Sequence, residues 1–359
     1  MQFSFAIPGD INNQTGGYIY DRRLMQELKA QGLVIDHLRL GDSFPNPTDT
    51  DMASASKELL GLPVQSAVII DGLALGVLDP EIIASMQVPF LALVHHPLAH
   101  ESGLTEQRRD YLFETERKNL SFAAQVVVTS PHTKDLLVSN YQVPAAKITV
   151  VPPGIDHFVV ETRKANPPLV LSVGIQVFRK GHDVFLEALS KILDLDWQAV
   201  VVGKALDPEY AADLQRLVAK SQLEGRVSFT GQISDAELAK LYGEASVFAL
   251  ATRYEGFGMV FGEAMLNGLP IISCRTGAVP ETVASGAGVF CEPDDPAGFA
   301  MLLRELLTNS GLMEQMSKAS AKAGAELPSW EQVAKRFGQV LDNLQDGIQE
   351  KQTSGDWTK

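Results

Sequence analysis

Short apolar runs rich in Val and Ile alternate with stretches of helical period along the whole chain, the pattern of βαβ units built on parallel sheets. The apolar runs predict strands near 3–7, 33–39, 67–70, 89–94, 125–129 and 148–151, and amphipathic stretches such as Tyr18–Ala30 and Leu104–Phe122 predict helices between them. The pattern breaks at Val151-Pro152-Pro153-Gly154-Ile155-Asp156 and at Asn166-Pro167-Pro168, two clusters of chain-breaking residues that flank a polar stretch. It then restarts, with strands expected near 169–173, 198–202, 227–230, 246–250, 270–273 and 288–291. Two doubly wound α/β domains follow, residues 1–163 and 164–330, with the carboxyl ends of their strands expected to face a shared cleft. Residues 331–359 are expected to form a helix that crosses back towards the first domain, fraying into a polar tail from Asp346.

Composition supports two cores. The 359 residues are about twice the usual length of one domain, and 45% are hydrophobic against 21% charged. Thirty basic against 44 acidic side chains give a net charge of −14, which argues against a nucleic acid partner, because phosphate binding needs a basic face. The apolar runs, such as Phe90–Val94 and Val247–Ala251, are far shorter than the ~20 residues that span a bilayer, and the N-terminal residues lack the features of a signal peptide, so a cytoplasmic location is expected. In the segment holding Arg108, Arg109, Arg117 and Lys118, four acids (Glu106, Asp110, Glu114 and Glu116) offset the basic charge, so a solvated face is expected rather than a membrane-binding one. The two cysteines, Cys274 and Cys291, each end an apolar run and are expected to be buried thiols.

The densest chemistry lies in Ala249-Leu250-Ala251-Thr252-Arg253-Tyr254-Glu255-Gly256-Phe257-Gly258-Met259-Val260-Phe261-Gly262-Glu263. A buried strand enters a glycine-rich turn and then an apolar helix, whose first N–H groups attract anions. Glu255 on the turn and Glu263 on the helix lie in apolar surroundings, where a carboxylate needs donors, and ligand hydroxyls could supply them. Gly256-Phe257-Gly258 begins like a dinucleotide fingerprint, but Phe261 stands where its third glycine belongs. Asp49-Thr50-Asp51, read as part of a Pro-rich loop, and Asp194-Leu195-Asp196, at a helix end, are assigned to no metal.

Glu255, seven intervening residues and Glu263 resemble the glutamate pair of the retaining glycosyltransferases of family 4, which have the GT-B fold of two Rossmann-like domains. Gly231-Gln232-Ile233-Ser234-Asp235, Gly268-Leu269-Pro270, Gly277-Ala278-Val279-Pro280-Glu281 and the Val151–Asp156 segment are similar to further parts of that family's pattern. The resemblance implies that Glu255 contacts the transferred sugar and Glu263 the nucleotide ribose, with Ile233, Phe257, Gly258, Met259 and Val260 also on the donor. It implies that a basic pair neutralises the diphosphate without a metal. Lys180 matches one member, but Ile175 stands where many members have arginine, and Arg179 is the expected substitute. Gly16-Gly17 resembles the family's N-domain glycine loop, and His95 (or His96, if the register is one residue off) resembles a histidine that contacts the donor sugar.

The implied activity is a metal-independent retaining hexosyltransferase with no bound cofactor. Its partners would be a nucleoside diphosphate sugar and an acceptor hydroxyl on a saccharide, a lipid-linked molecule or a small molecule. A sugar-nucleotide 2-epimerase of similar architecture, or a non-catalytic nucleotide-sugar-binding protein, are the alternatives.

Overall fold

The computed structural model describes residues 2–156 and 163–354, which form two compact units. Unit 1 contains residues up to Gly154 and again from Pro328; unit 2 is Ile155–Leu327. The chain thus divides at 154/155 and 327/328, where the sequence suggested 163/164 and 330/331. The first division falls at the end of the Pro152-Pro153-Gly154 run, which cannot continue a strand or helix.

Unit 1 runs β1 (Gln2–Pro8), α1 (Gly16–Ala30), β2 (Ile35–Leu40), α2 (Asp49–Leu60), β3 (Ser66–Asp71), α3 (Gly72–Leu75), α4 (Pro80–Ser85), β4 (Phe90–Val94), α5 (Glu106–Phe122), β5 (Gln125–Val128), α6 (Pro131–Ser139) and β6 (Ile148–Val150). The six strands form one parallel sheet in the order β2-β1-β3-β4-β5-β6. Every residue of β3 and β4 is buried. Helices cover both faces of such a sheet, which is why these strands read as unbroken apolar runs rather than alternating ones. The Asp49–Asp51 segment is not the loop expected from its prolines. It opens α2, with the Thr48 side chain accepting from Asp51 N, while Asp49 and Asp51 favour the positive helix end.

Unit 2 runs β7 (Leu169–Val173), α7 (His182–Ser190), β8 (Gln198–Val202), α8 (Pro208–Lys220), β9 (Val227–Gly231), α9 (Asp235–Glu244), β10 (Ala245–Leu250), α10 (Met259–Leu266), β11 (Ile271–Cys274), α11 (Val279–Thr282), β12 (Gly288–Cys291), α12 (Pro296–Thr308) and α13 (Ser310–Ala325). Its parallel sheet has the order β12-β11-β10-β7-β8-β9. Cys274 and Cys291 are free thiols at facing positions of β11 and β12; Cys274 is buried and Cys291 only partly so.

The last helix, α14 (Trp330–Ser354), belongs to unit 1 and packs on α1. Trp330 is buried edge-on against Tyr20, and Phe337 and Leu341 are fully buried. The tail expected to fray from Asp346 is helical to Ser354, in keeping with its helix-favouring Gln, Glu and Lys residues; residues 355–359 lie outside those described. No described helix is long and apolar enough to cross a membrane.

Candidate functional site

In unit 2 the chain leaves β7 in one direction across the sheet and β10 in the other, so the carboxyl ends of these neighbouring strands form the switch point where doubly wound sheets bind ligands. Two loops meet there. After β7, a 3₁₀ turn of Phe178–Lys180 ends at Gly181, whose φ of +64° is accessible to glycine without strain. A Cβ at Gly181 would also collide with the carbonyl of Ala251, so glycine is what lets this loop lie against residues 251–258 after β10.

That approach brings the predicted basic pair onto the predicted glutamate. Lys180 Nζ donates to Glu255 Oε1 over 2.6 Å, and Arg179 Nη1 lies 3.6 Å from Glu255 Oε2. Thr252 Oγ1 is 3.0 Å from Glu255 Oε1, and Arg179 Nη1 also donates to the Tyr254 carbonyl over 2.9 Å. The Glu255 side chain is 6% exposed, and those of Lys180 and Arg179 are 12% and 13% exposed. Burial alone would raise the carboxyl's pKa, but the Lys180 and Arg179 charges outweigh it and hold the pKa below the usual value. Arg179 and Lys180 thus both lie against Glu255, while Ile175 lies earlier in the same loop, half-buried.

Arg253, quoted in the motif but given no role there, staples the two loops. It donates to both oxygens of Asp183, to Asp294 and to the Phe178 carbonyl, and its guanidinium stacks 3.7 Å from the Phe178 ring. Its backbone N–H donates to the Arg179 carbonyl over 2.8 Å.

Glu263 sits one turn into α10 and accepts from the Tyr242 hydroxyl over 2.7 Å; burial raises its carboxyl's pKa. Phe257 and Gly258 form the turn before α10, and Met259 and Val260 are its first residues, all half-buried. Ile233 follows β9 and packs on the apolar cluster that holds Tyr242, Phe248 and Phe261. Lys180 and Arg179 bring two shielded cations to Glu255, with the first-turn N–H groups of α10 nearby in sequence. Such a cluster at a switch point suits an anionic ligand.

Unit 1 groups the remaining residues. Gly16 and Gly17 start α1, and a Cβ at Gly17 would lie 3.1 Å from the ring of His95, just beyond β4. His95 Nε2 is 3.0 Å from Asp21 Oδ1 on α1 and 3.5 Å from Asp71 Oδ2 at the end of β3. Burial opposes protonation of His95, but the two carboxylates, Asp21 first, prevail and raise its pKa to about 10. His96 pairs instead with Glu101 over 2.6 Å, so of the two histidines it is His95 that lies against the glycine pair. Among the described residues, Asp21, Asp71 and His95 could also offer three metal-ligand atoms within 4.8 Å of one another.

Sequence reasoning missed Asp21, Asp71, Tyr242 and Arg253 as parts of these sites. Asp71 left a readable signal, an acid closing an otherwise buried strand; Asp21 left none, because its contact with His95 spans 74 positions.

Two family models match. "Glycosyltransferase Family 4" covers residues 72–157 and "Glycosyl transferases group 1" covers 155–323. The chain belongs to this glycosyltransferase family. It is 25% identical over 300 residues to the mannosylfructose-phosphate synthase of Agrobacterium fabrum, covering 73% of this chain but 65% of that relative's length. Among solved structures it is similar to sucrose-phosphate synthase from Thermosynechococcus elongatus, with a TM-score of 0.80 at 24% identity over 96% of this chain and 99% of that one. It is also similar to Anabaena HepE in complex with UDP-glucose, with a TM-score of 0.75 at 15% identity over 96% and 100% of the two chains. The two α/β units are those of the GT-B class.

Proposed function

We propose that this glycosyltransferase moves a sugar from a nucleoside diphosphate sugar to an acceptor hydroxyl, with retention of anomeric configuration and without a metal. The observation that carries this reading is the Lys180–Glu255–Arg179 cluster at the unit 2 switch point. A diphosphate would meet two shielded cations and the start of α10, where the negative charge of the departing group grows. Glu255, held ionised by those cations, would face the sugar, whose anomeric carbon becomes electron-poor in the transition state. The bond from that carbon to the diphosphate breaks with its electron pair on the leaving group, and the acceptor oxygen bonds to the same face while its proton passes to the departing diphosphate oxygen. Glu263, fixed by Tyr242, would take the ribose hydroxyls, with Phe257, Gly258, Met259, Val260 and Ile233 around the nucleotide. Gly16, Gly17 and His95 would serve the donor from unit 1. HepE's complex with UDP-glucose supports a donor of this class.

A thermal-shift screen of nucleoside diphosphate sugars tests the reading. The true donor at one hundred times its Kd should add about 2.7 kcal/mol of stability. A screen in which no such compound shifts the transition, while the protein is folded, contradicts it.

A further inference from the structure

His95 is held by a device that the family motifs do not announce. Asp21 and Asp71 are 2% and 5% exposed at the side chain, and both carboxylates converge on the same nitrogen, Nε2 of His95. Shielded carboxylates this close repel each other unless a proton or a cation is shared among them. The His95 ring supplies it. Its hydrogen bonding among the described residues runs through Nε2, and its Nδ1 edge lies on the opposite side of the ring.

Burial and the Asp71 charge push Asp21 itself up to about 7, so this carboxyl titrates near neutrality beside the ring. From α1, Tyr20 packs edge-on against the ring with centroids 5.2 Å apart, and its hydroxyl donates to the Val151 carbonyl. Burial and the Asp71 charge push Tyr18, on the same helix, up to about 12. Arg336 on α14 places a positive charge near Tyr20. On the side of β5 the neighbour is uncharged: Thr129 Oγ1 donates to the His95 carbonyl. His96 is occupied by Glu101. A Cβ at Gly17 would lie 3.1 Å from Cδ2 and 3.5 Å from Nε2, so the start of α1 lies against the Nε2 edge of the ring.

We propose that Asp21 and Asp71 are positioning residues that grip Nε2 of His95 and keep the imidazole cationic, so that its Nδ1–H is a fixed donor to a hydroxyl of the transferred sugar. This deepens the function proposed above and rests on it for the identity of the ligand. In this role His95 donates a hydrogen bond and does not act as a base.

The test pairs a readout that needs no ligand with one that does. Long-range ¹H–¹⁵N NMR of the full chain follows the imidazole nitrogens with pH, the His95 signals being assigned by their loss in His95→Gln. In the wild type His95 should remain doubly protonated through pH 8. In Asp21→Asn or Asp71→Asn it should titrate closer to the ordinary histidine value of about 6.5. If the ordinary value were fully restored, the protonated fraction would fall about 25-fold between pH 6 and pH 8, and transfer by that variant would fall in step, while wild-type transfer would not show this loss. A merely structural role would lower both pH values alike. A His95 that is neutral at pH 7 in the wild type overturns the proposal even if neither Asp variant folds. So does tight binding of Zn²⁺ or Mn²⁺ that is lost in Asp71→Asn, since Nε2 would then be a metal ligand. If His95 titrates as expected but His95→Gln transfers sugar at the wild-type rate, the grip stands and the assignment of this face to the donor sugar falls.

Discussion

Replacing Lys180 by Met removes the shortest contact to a carboxylate that is 6% exposed, while preserving most of the aliphatic volume. Removing one partner of a buried pair costs about 3–5 kcal/mol, because the other charge is left without compensation. Here Arg179 at 3.6 Å and Thr252 at 3.0 Å remain and compensate the charge in part, so the expected loss falls below that range, at about 2–3 kcal/mol for unit 2. The sign with pH follows from Glu255. Its folded pKa is depressed, so it contributes stability above the unfolded value of about 4.5, and that contribution is lost as pH falls through the folded pKa. Without Lys180, burial dominates and the folded pKa rises. The variant's deficit should therefore be largest near pH 7 and shrink towards pH 4, as Glu255 takes a proton. Lys180→Met with Glu255→Gln should be more stable at pH 7 than Lys180→Met alone. Urea unfolding reports this through Trp197, a buried residue of unit 2, in a Trp330→Phe, Trp357→Phe background. A deficit below about 0.5 kcal/mol that does not change with pH would refute the reasoning, since an exposed ion pair gives that result.

Two further outcomes follow from the same structure. Glu116 is fully buried, and burial pushes its carboxyl up to about 8, so the folded chain keeps a proton that the unfolded chain loses above about 4.5. Stability should fall by about 1.4 kcal/mol per pH unit from this group between pH 5.5 and 7, and Glu116→Gln, whose oxygen can still accept from Leu98 N, should remove that slope in thermal unfolding. Sugar transfer should persist in EDTA; abolition with recovery on adding Mg²⁺ or Mn²⁺ would contradict the roles given to Arg179 and Lys180.

Much of the fold was legible because both sheets are parallel and covered on two faces, so strands such as Ser66–Asp71 appear as apolar runs with clear ends. The Glu255–Glu263 segment was legible because a strand, a turn and a helix are contiguous in it, and local physics alone fixes how one carboxylate precedes the other. Helix α2 was hidden by the prolines before it, although Thr48 and Asp51 carry the capping signal. The contacts that set ionisation were the least readable. Arg179 and Lys180 meet Glu255 across about 75 positions, and Asp21 meets His95 across 74, so neither pairing leaves a spacing that a single sequence can show. The loop after β7 illustrates the same point: its 3₁₀ turn places Arg179 and Lys180 against Glu255, a contact that neither residue's place in the sequence announces.

The central claim is that Glu255 acts on the reacting sugar and Glu263 on the ribose. Steady-state kinetics of Glu255→Gln and Glu263→Gln with the donor found by the screen, after circular dichroism shows each folded, test it most directly. Loss of a transition-state electrostatic contact should lower kcat for Glu255→Gln by about 100-fold or more, whereas Glu263→Gln should mainly raise KM. An unchanged kcat in Glu255→Gln, or the same KM-only defect in both variants, would contradict the account.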